Sequence, residues 1–369
     1  YDREGRLTAE ARPYEEPRCF FLFDREHGNL IPETPMDPFR CSLLLPALRY
    51  GVKKLLSSIH VDRVVIGVSG GIDSAVNAAL YRSVLPEGHL LLVNTPTRFN
   101  SEMTKGLAKK LADNLESPYL TIPIGSFIDE TAAALEGLPV GSGNIHLTGF
   151  MKENMQARDR SSRILSALSA AFGGIFTCNA NKTEMTVGYG TLYGDLAGAL
   201  AATADLWKYQ IYELGRALNQ WYGRNVIPEG IFTVKPSAEL SENQDVTKGL
   251  GDPLIYEYHD YLLKSFIEPW QRNTPEDILG WYAHGNLEEH LGCQVKEKDL
   301  FPTSADFIKD LERWWNLFAG FAVAKRIQAP PLIAISRRPY GYDLRESQVR
   351  PYYTDRYLEM KKRMLPAES

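Results

Sequence analysis

Residues 69–74, Ser-Gly-Gly-Ile-Asp-Ser, sit between two stretches of different character, and that setting constrains the fold more than any other part of the chain. Ahead of them, Val64-Val65-Ile66-Gly67-Val68 is a short, mostly β-branched apolar run of the kind buried on both faces of a parallel sheet. Behind them, residues 75–81 are helix-permissive and largely apolar. The order strand, glycine turn, helix leaves backbone N–H groups free at a helix start, beside the positive end of the helix dipole. Such a place favours phosphate. The loop has no Gly-Lys-Ser/Thr and no Gly-x-Gly-x-x-Gly, so it is neither a Walker P-loop nor a dinucleotide fingerprint. The plainer alternative is a simple turn before a helix capped by Asp73 or Ser74.

Further runs repeat the alternation. Residues 90–94 and 119–122 read as strands, with helical stretches near 73–84 and 101–116 between them. A helix over 42–58 precedes the first strand, with Leu44, Leu48, Val52, Leu55 and Leu56 on its apolar face. A long helix over 151–172 should stop at Gly173-Gly174 and lead to a fourth strand over 175–178. The pattern predicts an α/β fold, a doubly wound parallel sheet with helices on both faces. Helical stretches at 205–222, 254–269, 274–283 and 303–325 add a helical C-terminal extension. From Ala329 onward the chain is rich in Pro, Arg and Tyr and shows little periodicity, so 346–369 read as a tail. At the other end, residues 1–7 and 19–24 read as the two strands of a hairpin. Gly28, Pro32, Pro35 and Pro38 mark 28–41 as a linker.

Composition removes several function classes. In 369 residues, Lys plus Arg number 41 against 46 for Asp plus Glu, and the net charge of −5 argues against a nucleic-acid scaffold. No apolar run approaches the roughly 20 residues of a membrane helix, and no signal-peptide pattern is present. Cys19, Cys41, Cys178 and Cys293 are scattered without a Cys-x-x-Cys pair. That suggests reduced thiols in a cytoplasm, and Cys178, behind strand residues, reads as core.

The loop 69–74 resembles the pyrophosphate loop of the N-type ATP pyrophosphatases, which cleave ATP between the α and β phosphates. Asp73, within the loop, would reach a metal on those phosphates; Glu184, past the fourth strand, belongs to the same carboxyl edge of the sheet. The wider set of motifs narrows the resemblance. It comprises residues 96–101 (Pro-Thr-Arg-Phe-Asn-Ser), 153–158 (Glu-Asn-Met-Gln-Ala-Arg), 181–189 with 191–195, 205–208 (Asp-Leu-Trp-Lys) and 235–240 (Lys-Pro-Ser-Ala-Glu-Leu), with Lys325-Arg326 and 328–331. As an ordered set over residues 42–345 they resemble the synthetase portion of the NAD+ synthetase family, closest to the glutamine-dependent bacterial form. The opening hairpin, residues 1–27, resembles the end of the nitrilase-like glutaminase domain that precedes that portion.

The resemblance implies an adenine-nucleotide α-hydrolase-like sheet, with 42–345 as the synthetase domain. The implied reaction adenylates the nicotinate carboxylate of deamido-NAD+ with ATP, releases pyrophosphate, and lets ammonia displace AMP to give NAD+. It implies that Ser69, Gly70, Gly71, Asp73 and Ser74 hold ATP phosphates and that Asp73 and Glu184 hold Mg²⁺. Lys208 would bind phosphate and Ser237 would contact ATP. Arg158 and Lys325 would contact deamido-NAD+. It further implies a homodimer, with deamido-NAD+ sites near the dimer interface. Asn179, Leu192 and Ala199 depart from residues of many ammonia-dependent relatives, which leaves ligand contact at those positions open. Two other readings compete: an amidating pyrophosphatase of the GMP synthetase type, and a nucleotide-binding regulator without turnover. No Glu-Lys-Cys set of the nitrilase kind can be assembled around the four cysteines, so the chain should use ammonium rather than glutamine. A first residue other than Met and a hairpin foreign to the α/β units suggest the C-terminal part of a longer protein, with glutamine-derived ammonia supplied by an upstream domain.

Overall fold

The computed structural model describes Tyr14 and residues 21–26, 29–32, 43–340 and 351–365. Two short strands, β1 (Phe21–Asp24) and β2 (Asn29–Pro32), pair antiparallel in a sheet of their own. Residues 29–32, expected in the linker, therefore form a strand, and 21–24 pair with them. The strand expected over 1–7 lies outside the described residues.

The central sheet follows the expected alternation. β3 (Val64–Gly67), β4 (Leu90–Asn94) and β5 (Tyr119–Thr121) come in sequence. The two-residue strands β6 (Pro139–Val140) and β7 (Gly143–Asn144) form a separate hairpin, and β8 (Ile175–Phe176) closes the series. The sheet is parallel, with order β5–β4–β3–β8. Chain direction across the sheet reverses at β3: successive connections lead outward to β5, then return to β8 on the other side. A crevice opens at the carboxyl ends of strands at such a switch point.

Alternate residues of the strands serve two cores, as a sheet covered on both faces requires. Val64, Ile66, Leu90 and Leu92 join a core with helices Leu44–Ser58, Ile72–Arg82, Glu102–Asn114 and Lys208–Trp221. Val65, Leu91 and Val93 face the other way, onto Leu165, Leu168 and Phe172. The expected long helix is broken in kind rather than direction. Gly149–Arg158 is α, Asp159–Leu165 is π and Ser166–Phe172 is α again, ending on Gly173 in the left-handed region at φ 78°. The expected helix over 303–325 divides at Gly320 into Ser304–Ala319 and Ala322–Gln328.

A third core, built from Trp207, Tyr258, Leu262, Phe266, Trp314, Trp315 and Tyr357, holds the helical C-terminal part together. The tail is not aperiodic throughout. Thr354 caps a helix over Asp355–Met364 by accepting from the Tyr357 N–H, and Tyr357 is fully buried. Among the described residues, no helix is long and apolar enough to cross a membrane.

Candidate active site

The loop after β3 is shaped by two requirements on one residue. Gly70 has φ +92°, and a Cβ there would lie 2.2 Å from the Thr104 carbonyl oxygen. Only glycine fits both the backbone and the helix behind it. The helix Ile72–Arg82 starts at Gly71 without a side-chain cap, so the alternative of a turn capped by Asp73 or Ser74 does not hold. Ser74 instead turns back: its Oγ accepts from the Ser69 N–H at 3.2 Å and donates to the Gly71 carbonyl at 3.1 Å. First-turn N–H groups of an 11-residue helix thus point into the crevice uncapped.

The segment after β8 supplies the second wall. Asn181, fully buried, caps the helix Lys182–Val187: its Oδ1 accepts from the Glu184 N–H at 3.0 Å, and Glu184 Oε2 accepts from the Asn181 N–H at 3.2 Å. The same Asn181 donates through Nδ2 to Asp73 Oδ1 at 2.8 Å. One buried residue thereby fixes both carboxylates, Asp73 through its side-chain amide and Glu184 through its backbone N–H. Their remaining oxygens face a common cation, since Lys208 Nζ lies 2.5 Å from Asp73 Oδ2 and 3.8 Å from Glu184 Oε1.

Lys208 opens the helix Lys208–Trp221 and is almost fully buried, with its ammonium over the Tyr256 ring at 4.7 Å. Burial opposes its charge, but Asp73 and Glu184 outweigh burial, and Lys208 titrates above its ordinary value. Glu184 is pushed well above the carboxylate range by desolvation and by the charge of Asp73; Lys208 acts against that rise.

The cleft spans about 250 Å³ and brings together Ser69, Gly71, Asp73, Ser74, Glu184, Lys208 and Ser237. Gly70 shapes its floor without lining it. Ser237 Oγ donates to the Gln244 carbonyl at 2.7 Å, within the segment that covers the cleft. Asn179 also lines the cleft, with its amide donating to the Gly67 carbonyl at 3.0 Å; Leu192 and Ala199 do not line it. Cys178 is core, as its position suggested, with its thiol pushed up to about 12 by burial.

Arg158 and Lys325 stand elsewhere, on two helices that both reach the loop 188–192. Arg158 Nε donates to the Leu192 carbonyl at 3.2 Å, and Lys325 Nζ to the Gly188 and Gly190 carbonyls at 2.7 and 2.5 Å. Lys325 titrates below its ordinary value because of desolvation; Asp195 counters that fall and the charge of Arg158 adds to it.

Comparison with known proteins now bears on this arrangement. The family model described as NAD synthase matches residues 44–296. The chain belongs to the NAD synthase family. It is 34% identical over 251 residues to the glutamine-dependent NAD(+) synthetase of Thermotoga maritima, covering 68% of this chain and 42% of that protein. It is 32% identical over 340 residues to that of Synechocystis, covering 92% and 54%. The chain spans about half the length of the curated relatives it matches. The fold matches the crystal structure of a glutamine-dependent NAD(+) synthetase from Cytophaga hutchinsonii with a TM-score of 0.63 at 16% identity, over 87% of this chain and 55% of that one.

Several residues of the family member's cleft carried no assignment from sequence. Asn181 lay inside a motif without a role. Arg160 lies two residues past Arg158 and, on the π turn, enters the cleft, where it donates to the Thr95 carbonyl at 3.3 Å and Asn100 Oδ1 at 3.2 Å. Desolvation lowers its pKa to about 10, which leaves it charged at neutral pH. Glu239, at φ 45°, accepts from the Ser101 N–H at 3.2 Å and Thr104 Oγ1 at 2.7 Å, so it pins the covering segment to the helix behind Gly70. Asp252 accepts from the Tyr189 and Tyr256 hydroxyls at 2.9 and 3.1 Å, and burial raises its pKa. The motifs 181–189 and 235–240 held a signal for Asn181 and Glu239, and no motif covered Arg160 or Asp252.

Proposed function

We propose that this chain catalyses the ATP-dependent amidation of deamido-NAD+ to NAD+, with nitrogen from ammonia. The observation that carries the reading is the convergence of Asp73, Glu184 and Lys208, from three separate segments, beside an uncapped helix start. Mere nucleotide binding has no need of all three.

In this reading ATP lies with its phosphates on the first-turn N–H groups and on Ser69, Gly70, Gly71 and Ser74, and with Ser237 against the covering segment. Mg²⁺ fits the donor set. Asp73 and Glu184 offer hard carboxylate oxygens, which in this structure share the Lys208 ammonium, and they would hold the metal together with phosphate oxygens and water once Lys208 turns to phosphate. When bound there, the metal neutralises charge on the phosphates and on the departing pyrophosphate. Lys208, as an ammonium donor, would stabilise that charge as it builds. Arg158 and Lys325 hold deamido-NAD+ by its own anionic groups. The nicotinate carboxylate oxygen attacks the α-phosphorus, the α–β bond breaks, and ammonia then attacks the carbonyl carbon to expel AMP. Adenylation creates the leaving group, so no covalent nucleophile of the enzyme is needed.

The placement in a cytoplasm, the homodimer and the assignment of 42–345 as the synthetase unit belong to the same proposal, as does an upstream glutaminase that would supply ammonia from glutamine. The test is incubation with MgATP, deamido-NAD+ and ammonium. NAD+, AMP and pyrophosphate in equal amounts are expected. AMP formed only with xanthylate would favour the GMP synthetase type, and ATP binding without AMP a regulator.

A further inference from the structure

Beneath Glu184 and Lys208 lies a second charge cluster that the proposed reaction does not use. Lys182 and Asp205 have fully buried side chains. Lys182 Nζ meets four oxygens: Asp205 Oδ1 at 2.9 Å, Glu268 Oε1 at 3.2 Å, Ser336 Oγ at 2.7 Å and the Arg338 carbonyl at 3.1 Å. An ammonium has three protons, so this one is saturated and turned away from any substrate. Asp205 is equally filled. It accepts from Lys182, from Ser336 Oγ at 2.8 Å, and from the Ile335 and Ser336 N–H groups at 2.7 and 2.5 Å.

The chain positions give the cluster its meaning. Lys182 is the first residue of the helix that carries Glu184, and Asp205 lies three residues before Lys208. The two segments also join directly, Lys182 N–H to the Leu206 carbonyl at 2.7 Å. Segment 331–340 crosses both. It begins with the Pro331 carbonyl accepting from the Ala201 N–H at 2.8 Å. In its middle, Ser336 touches both Lys182 and Asp205. At its end, the Tyr340 hydroxyl lies 2.8 Å from Thr186 Oγ1, on the helix of Glu184. A Lys182–Asp205 pair alone would tie the two segments together. The added donors and acceptors of 331–340 fix the direction of that tie, because a filled buried network has one arrangement.

We propose that segment 331–340 is a brace that sets Glu184 against Lys208, with Lys182, Asp205 and Ser336 as positioning residues for the metal–nucleotide site. This rests on the reading of the cleft as a site for ATP and Mg²⁺. The competing account is that the cluster serves fold stability alone.

The experiment uses Ser336→Ala and Ser336→Thr. Ser336→Ala leaves the Lys182–Asp205 pair and both backbone bonds to Asp205, so the chain retains its fold. Binding of α,β-methylene-ATP is titrated by calorimetry with and without Mg²⁺, and thermal melts are recorded alongside. With Mg²⁺, Ser336→Ala should bind about tenfold more weakly than wild type and need several-fold more Mg²⁺ for half-saturation. Without Mg²⁺ the two should agree within about twofold, and Ser336→Thr should track wild type. A Ser336→Ala protein that melts lower yet binds the Mg²⁺ complex normally would overturn the brace. So would an equal loss with and without the metal. Wild type that binds the Mg²⁺ complex but makes no NAD+ would overturn the proposed reaction and not the brace; wild type that does not bind it would overturn both.

Discussion

The cleft and the outer Arg158–Lys325 pair both gather cations, but they hold them differently. In the cleft, Lys208 is cross-paired with two carboxylates and buried. Outside it, Arg158 and Lys325 bond to backbone carbonyls of the loop 188–192, and among the described residues neither makes an ion pair. A carbonyl orients a cation without cancelling its charge, so the outer pair would keep more of its field for an anionic ligand than Lys208 does. The cleft is closer to neutral, which suits the proposed pairing of a metal with an anion there. The difference suits the proposed division of labour, with a metal–nucleotide complex inside and a second anionic substrate outside.

The comparison breaks most visibly at the carboxylates. Asp73→Asn and Glu184→Gln keep size and remove charge, and each should lower the rate of AMP release by about 10²-fold or more with the melting temperature little changed. Near-normal AMP release by either would take that residue out of the cleft's chemistry. The outer pair should respond in binding instead. Arg158→Ala and Lys325→Met should each raise the KM for deamido-NAD+ by about tenfold, with the KM for ATP nearly unchanged. An effect confined to ATP would erase the distinction between the two regions.

Gly70→Ala sharpens the contrast from the backbone side. The added Cβ meets the Thr104 carbonyl in a left-handed conformation, so melting should fall by several degrees, a loss of at least about 1 kcal/mol. Nucleotide affinity should fall with it, and deamido-NAD+ binding should not. Equal losses at both places would mean the regions are coupled.

The smallest effect concerns pH. If Glu184 holds Mg²⁺ as proposed, protons and the metal compete for it, and its pKa is raised by burial and by Asp73. The acid limb of kcat/KM for ATP should therefore lie above the ordinary glutamate range. Raising Mg²⁺ favours the ionised form and should move that limb to lower pH. A limb that ignores Mg²⁺ would assign it to another group.

The sheet was legible because its signals are local. Residues 64–67 and 90–94 are apolar runs bounded by polar and glycine-rich turns, and strand and run coincide. The loop 69–74 and the motif 181–189 were legible as contiguous strings, each following a strand. What stayed hidden depends on partners distant in sequence. The π turn at 159–165 leaves the apolar spacing of a helix undisturbed, so Arg160 reads as a neighbour of Arg158 although it enters the cleft. The helix Asp355–Met364 is strongly charged and buries Tyr357 against Glu312, to whose carboxylate it donates at 3.1 Å; without helix 304–319 nothing marks it. The strand Asn29–Pro32 sits among prolines that signal a linker.

The central claim is that the nicotinate carboxylate is adenylated. The direct measurement is transfer of label from deamido-NAD+ carrying ¹⁸O in its carboxylate, with MgATP and ammonium. If carboxylate oxygen attacks the α-phosphorus and ammonia later breaks the carbonyl–oxygen bond, each AMP formed carries one ¹⁸O on its phosphate, and pyrophosphate carries none. AMP without label, or ADP and labelled phosphate in its place, would contradict the account.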